Sequence, residues 1–256
     1  MARNDRNGEG NQSEDPKYSA FLSGRSVEFM QQMLYTIVES ACQNHTDYYV
    51  QKGFDKTYTV AYRLGWLKNG LADFAAFLPE SKEVLACYQY IIPELDMQGN
   101  IRYIIARKNT ETVQKQLPFD IPSSYYIGYN SEKSIWNAKA LYAEDVVFIT
   151  ETWTDAFSII QNGSSAIALN RIGNIITLWS ILQKFPKASA NRYYIACDAD
   201  EYGRRITSDL HSMLNSLGLS HYDIPSYPDE IKDCNEWLIA DPKGFHAMIS
   251  YIISQA

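Results

Sequence analysis

The sequence predicts an α/β protein: a mixed α+β N-terminal region followed by a parallel sheet flanked by helices. Three observations carry this reading. In the second half, the apolar runs VVFIT (146–150), SAIAL (165–169) and YYIAC (193–197) alternate with helical stretches, the pattern of strands joined by crossovers. In the first half an amphipathic segment precedes a hairpin-like one, with no such alternation. Two of the three runs end directly in acidic residues, where open parallel sheets bind their ligands.

Residues 1–17 are polar and rich in Asn, Gly, Glu and Asp, the composition of a disordered leader. From Ser26 to about Cys42, apolar residues recur at helical spacing (Val27, Met30, Met33, Leu34, Ile37, Val38), and the N-terminal helical region is drawn over 18–45. Residues 46–66 read as two short helices broken around Gly53, and 88–109 as a hairpin turning at Gln98-Gly99-Asn100. These belong to a subdomain over 46–142. In the domain that follows, 143–256, the first strand leads into a helix stopped by Gly163. NIITLWSILQKF (174–185) is a helix closed by Pro186, and another helix runs from about Tyr202 to near Gly218. HYDIP (221–225) reads as a fourth strand, with helices after Asn235 and Lys243.

No run approaches the roughly 18 apolar residues of a membrane span, and no apolar stretch follows the basic residues at the N-terminus, so a cytoplasmic location without membrane contact is expected. Cys42, Cys87, Cys197 and Cys234 form no closely spaced pair, which argues against a zinc site and for buried, reduced thiols. A net charge of −7 argues against a protein that coats nucleic acid by bulk charge, while leaving room for a local basic track.

The acids are the informative feature. The first strand runs into Glu151, with Asp155 four residues on. The third runs into Asp198-Ala199-Asp200, whose carboxylates, two residues apart on an extended segment, point the same way. Hard oxygen ligands of this kind suit Mg²⁺ or Mn²⁺, with substrate phosphates completing the shell.

This order of strand–Glu, strand–DxD and then KDCNEWL (232–238) resembles the Toprim family of primases, topoisomerases and nucleases. Glu151 and Asp155 match its EGxxD motif with Thr152 in place of Gly, and Asp198 and Asp200 match its DxD. Gly203 stands where primases carry DxDxAG, with Tyr202 replacing Ala. YYVQKGF (48–54), YRLGW (62–66), the hairpin segment and GYNSEKSIWNAKALY (128–142) are similar to segments of DnaG-like bacterial and phage-type primase catalytic cores.

The resemblance implies a metal-dependent nucleotidyltransferase making short RNA primers in DNA replication, of the kind carried by phages or mobile elements. Glu151, Asp198 and Asp200 would be the metal ligands, with Asp233 a further catalytic candidate. Arg107, Lys139, Lys232 and Asn130 would contact nucleic acid or nucleotide phosphates. The partners implied are a single-stranded DNA template, ribonucleotides, and a replicative helicase or DNA-binding protein. The alternatives are a Toprim nuclease, an inactive nucleic-acid-binding accessory protein of a mobile element and, more remotely, a DxD phosphatase. The last normally carries its DxD near the N-terminus, whereas here it falls in the last quarter of the chain.

Overall fold

Ser26 accepts a hydrogen bond from the Phe29 amide and starts helix α1 (Val27–Cys42). The helix buries Met30, Met33, Leu34, Ile37, Val38 and Ala41 against one face of a five-stranded sheet. The computed structural model describes residues 19–20, 26–44, 46–128, 134–143, 145–185 and 191–255. Two short helices, α2 (Tyr48–Gln51) and α3 (Lys56–Ala61), follow as the sequence predicts. Gly53 between them adopts φ +72°, a left-handed conformation that side chains with a Cβ resist.

The sheet comprises β1 (Ser19–Ala20), β2 (Gly65–Trp66), β3 (Tyr88–Leu95), β4 (Ile101–Lys108) and β5 (Ser124–Gly128), in the order β1-β5-β4-β3-β2. The β3–β4 hairpin is the expected one. At its turn Asp96 accepts from the Gln98 and Asn100 amides at 2.9 and 2.8 Å, and Gly99 takes φ +83°. Strands β1, β2 and β5 are additions to the sequence reading, as are the short helices α4 (Lys82–Ala86) and α5 (Thr110–Gln116). Both faces of this sheet are covered. Ile91, Ile104, Ala106, Tyr125 and Ile127 pack toward α1, and Ile92, Tyr103, Ile105 and Tyr126 pack toward the second half of the chain. That double burial explains why YQYIIPEL reads as a nearly continuous apolar run.

A short helix, α6 (Ala140–Ala143), leads into the second sheet: β6 (Val146–Thr150), β7 (Ser165–Ala168), β8 (Arg192–Ala196) and β9 (His221–Asp223). All are parallel, in the order β7-β6-β8-β9. Helices α7 (Trp153–Ile160), α10 (Cys234–Ala240) and α11 (Pro242–Ser254) cover one face, and α8 (Asn174–Lys184) and α9 (Glu201–Ser216) the other. This is the α/β class expected, a mixed N-terminal region followed by a parallel sheet between helices. Among the described residues no helix is long and apolar enough to cross a membrane. Cys87, Cys197 and Cys234 are buried thiols, whereas Cys42, expected to be buried, is exposed at the end of α1.

One apolar cluster joins the two sheets, and Trp136 lies at its junction, fully buried. Its backbone bridges to Ala168 and its indole N–H donates to the Pro93 carbonyl at 3.1 Å. The next two amides, of Asn137 and Ala138, donate to the buried carboxyl of Glu94 at 2.5 and 3.2 Å. Replacing Trp136 by Ala is expected to cost about 3–5 kcal/mol of stability, read as a lowered urea midpoint. An unchanged midpoint would show that the two sheets are held together elsewhere.

Candidate metal centre

In the second sheet Thr150 pairs with Ala196, so the residues just past these strand ends emerge side by side. Glu151 uses its Oε1 to accept the Asp198 amide at 2.8 Å. Gly203, in the first turn of α9, sits directly behind this contact. A Cβ there would meet Glu151 Oε1 at 2.6 Å and clash with the Asp198 carbonyl, so the position requires glycine.

The strand β8 ends at Ala196, and residues 199 and 200 form a bend. The pairing of Asp198 and Asp200 therefore does not arise from an extended i, i+2 register, as the sequence suggested. Asp200 is instead the N-cap of α9, its Oδ1 accepting from the Gly203 amide at 2.8 Å. Asp233 likewise caps α10, accepting the Glu236 amide at 2.7 Å. The Ala199 amide donates to the Lys232 carbonyl at 2.7 Å, which ties the DxD turn to the loop carrying Asp233.

Asp155, matched to a motif in the sequence but not assigned as a ligand, is buried beneath this group. It accepts the Asn235 amide at 3.1 Å and pairs with the Thr152 hydroxyl. Thr152, in place of the usual glycine, is the N-cap of α7. Asn235 stands in the KDCNEWL segment singled out in the sequence, but was given no role there. Its side chain donates to the Lys52 carbonyl at 2.9 Å and to Ser158 Oγ at 3.1 Å, linking the N-terminal segment to the acidic loops. The motif marks the residue, whereas its distant partners leave no local signal in sequence.

The carboxylates load one another electrostatically. Burial raises the Asp198 carboxyl to about 7, and Glu151, Asp233 and Asp200 push the same way. Burial also raises Glu151, opposed by the amide of Asp198 and assisted by Asp200, Asp155 and Asp233. Asp155 and Asp233 are both raised, by burial first. Lys232 acts against this on Asp198, and Lys232 and Lys52 do so on Asp233. An all-oxygen, like-charged donor set of this kind fits a hard divalent cation. Among the described residues no three His, Cys, Asp or Glu side chains converge closely enough to hold one alone.

The cationic candidates are spread out. Lys232 lies at the site and pairs with Glu236 at 3.7 Å. Arg107, on β4, donates to Ser124 Oγ at 2.7 Å on the sheet face that looks toward the second half of the chain. Lys139 lies over the Tyr62 ring at 5.4 Å and acts on Glu94 at the junction of the sheets. Asn130 lies outside the described residues.

Residues 148–238 match the family described as Toprim-like. No curated protein matches the chain at the sequence level. Among solved structures, the chain is similar to the Aquifex aeolicus primase (zinc binding and RNA polymerase domains), at 17% identity and TM-score 0.63, over 90% of this chain and 63% of that one. It thus spans less than two thirds of that primase chain. It is also similar to a DnaG primase catalytic domain bound to ssDNA (13%, TM-score 0.59, 88% of this chain and 81% of that). A DNA primase domain from Pseudomonas aeruginosa matches at 16% identity and TM-score 0.59, over 88% of this chain and 82% of that. The chain carries a Toprim-like domain, and its fold is that of a primase catalytic core.

The raised carboxyls give a pH signature without metal. A carboxyl whose pKa is higher folded than unfolded binds more protons in the folded state between those two values. Stability should therefore fall as pH rises from about 4, the unfolded value for Asp, to about 7, the value for folded Asp198. Magnesium ion should reverse this, raising the melting temperature by a few degrees at pH 8, as about 1 kcal/mol does in a chain of this size, and hardly at all at pH 5. A magnesium response that is the same at both pH values would refute the carboxylate site.

Proposed function

We propose that this chain is a metal-dependent primase core that joins ribonucleotides into short primers on a single-stranded DNA template. The observation that carries the reading is the Asp198 amide donating to Glu151 just past the strand ends of a Toprim-like domain, where Asp200 and Asp233 act electrostatically on both carboxylates. Likeness to primase catalytic cores reaches across the N-terminal sheet as well, over 88–90% of the chain, and this favours a primase over a Toprim nuclease that would use the same acids.

In the reaction proposed, a primer 3′-hydroxyl attacks the α-phosphorus of an incoming nucleotide and pyrophosphate leaves. A bound Mg²⁺ or Mn²⁺ would offset the charge that builds on the phosphoryl oxygens. Glu151, Asp198 and Asp200 are the residues to hold it, with water and nucleotide phosphates supplying the remaining oxygens. Asp155 and Asn235 position these loops from beneath, and Asp233 fixes the start of α10 beside them. Lys232 adds positive charge for a nucleotide phosphate. Arg107, oriented by its hydrogen bond to Ser124, is assigned to the template backbone, and Lys139 and Asn130 are secondary phosphate contacts. A replicative helicase or an element-encoded DNA-binding protein is the partner this reading calls for, to deliver single-stranded template.

Incubation with single-stranded DNA, Mg²⁺ or Mn²⁺ and labelled ribonucleotides should yield short oligomers. Glu151→Gln and Asp200→Asn should each lower the yield by about 100-fold or more with little loss of stability, because each removes a charge at constant shape. An Asp200→Asn protein with near-normal yield would reject the metal assignment. Arg107→Ala should weaken single-strand binding and reduce its salt slope by about one unit, checked by anisotropy titrations at several salt concentrations.

A further inference from the structure

A row of aromatic rings crosses the second sheet on the face covered by α7, α10 and α11. Phe148 on β6 is in register with Tyr194 on β8, and Tyr194 with Tyr222 on β9. The rings stack in sequence, with centroids 5.4 Å apart at both steps and interplanar angles of 27° and 30°. Phe148 and Tyr194 are buried, but Tyr222, on the edge strand, is 51% exposed. The row therefore ends on an open ring. Tyr251 of α11, 61% exposed, stands across from it, and between them lies a cavity of about 500 Å³. That size is within the range of small-ligand sites.

Charge lies at one end of the cavity. Arg192, the first residue of β8, lines that end and donates to the Gln255 carbonyl at 3.0 Å. Asp223, next to Tyr222 on β9, turns its carboxylate to the opposite face of the sheet, where His211 of α9 holds it at 3.0 Å. An aromatic wall with a guanidinium at one end favours a flat ring system that carries an anionic group. We propose that this cleft binds a nucleobase with its phosphate. The base would continue the Phe148–Tyr194–Tyr222 row and face Tyr251. The phosphate would lie toward Arg192, whose guanidinium lines the cavity. Stacking accepts any base, because every base offers a π-face, so the cleft should show little sequence preference. The source is a free nucleotide or a nucleotide of a single strand. The site is separate from the carboxylates and stands whether or not primers are made there.

Photo-crosslinking to the full chain tests this with two probes, 8-azidoadenosine monophosphate and an oligothymidylate carrying one 5-iodouracil. Label is expected on Tyr222 or Tyr251, mapped by mass spectrometry. Label from the monophosphate alone identifies a free-nucleotide site, and label from the oligonucleotide identifies a single-strand site; either supports the cleft. Affinity for the labelling probe should fall about tenfold in Tyr222→Ala and stay within about twofold in Tyr222→Phe, which keeps the ring. Glu151→Gln should leave labelling unchanged, so a failure of the primase reading would not disturb this result. The proposal is overturned if neither probe labels these tyrosines. It is also overturned if Tyr222→Ala, shown folded by circular dichroism, binds both probes as the native protein does, or if Glu151→Gln abolishes the label.

Discussion

The two sheets share one apolar core, and the placement of the candidate site depends on it. Tyr103, Ile105 and Tyr126 of the first sheet and Phe148, Ala168 and Tyr194 of the second belong to the same buried cluster, with Trp136 between them. The sheets are thus not two beads on a string. Gln161 of α7 reinforces the joint by exchanging hydrogen bonds with the Gly53 carbonyl and the Asp55 amide, both at 2.9 Å. Because the joint is apolar and tightly hydrogen-bonded, the face of the first sheet that carries Arg107 is held toward the domain that carries the acids.

The acidic loops are held at a cost that the surrounding hydrogen bonds offset. Glu151, Asp155, Asp198 and Asp233 oppose one another's ionisation, and burial opposes all four. What keeps them together is backbone: the Asp198 amide on Glu151, the Asn235 amide on Asp155, and the Ala199 amide on the Lys232 carbonyl. A stability optimum does not require such an arrangement, and sites of this kind are commonly functional.

Much of the second domain was legible because its strands are short, apolar and separated by helices, and its acids follow the strand ends directly. Glu151 and Asp198 needed only the order of elements to be brought together. The N-terminal sheet was harder to read. Gly65–Trp66 is too short to show a period, and SYYIG (124–128) is buried on both faces, which erases alternation. The DxD spacing suggested a strand register for Asp198 and Asp200, whereas the chain leaves the strand at Ala196, bends at 199–200 and uses Asp200 as a helix cap. Asn235 and Lys52 meet across 183 positions of chain, a pairing that no local pattern encodes.

Helices α7 and α9 both begin at the acidic loops, one just after Glu151 and the other at Asp200. Aligned peptide dipoles leave roughly half a positive charge at each such end. The fold thus carries its own diffuse counter-field, present before any cation arrives and unable to diffuse away. It softens the mutual repulsion of the carboxylates when they are bare. On the primase reading proposed above, the same two helix ends would also favour the negative oxygens of a phosphate ester beside a bound cation. A single backbone feature would then serve the site with and without its substrate.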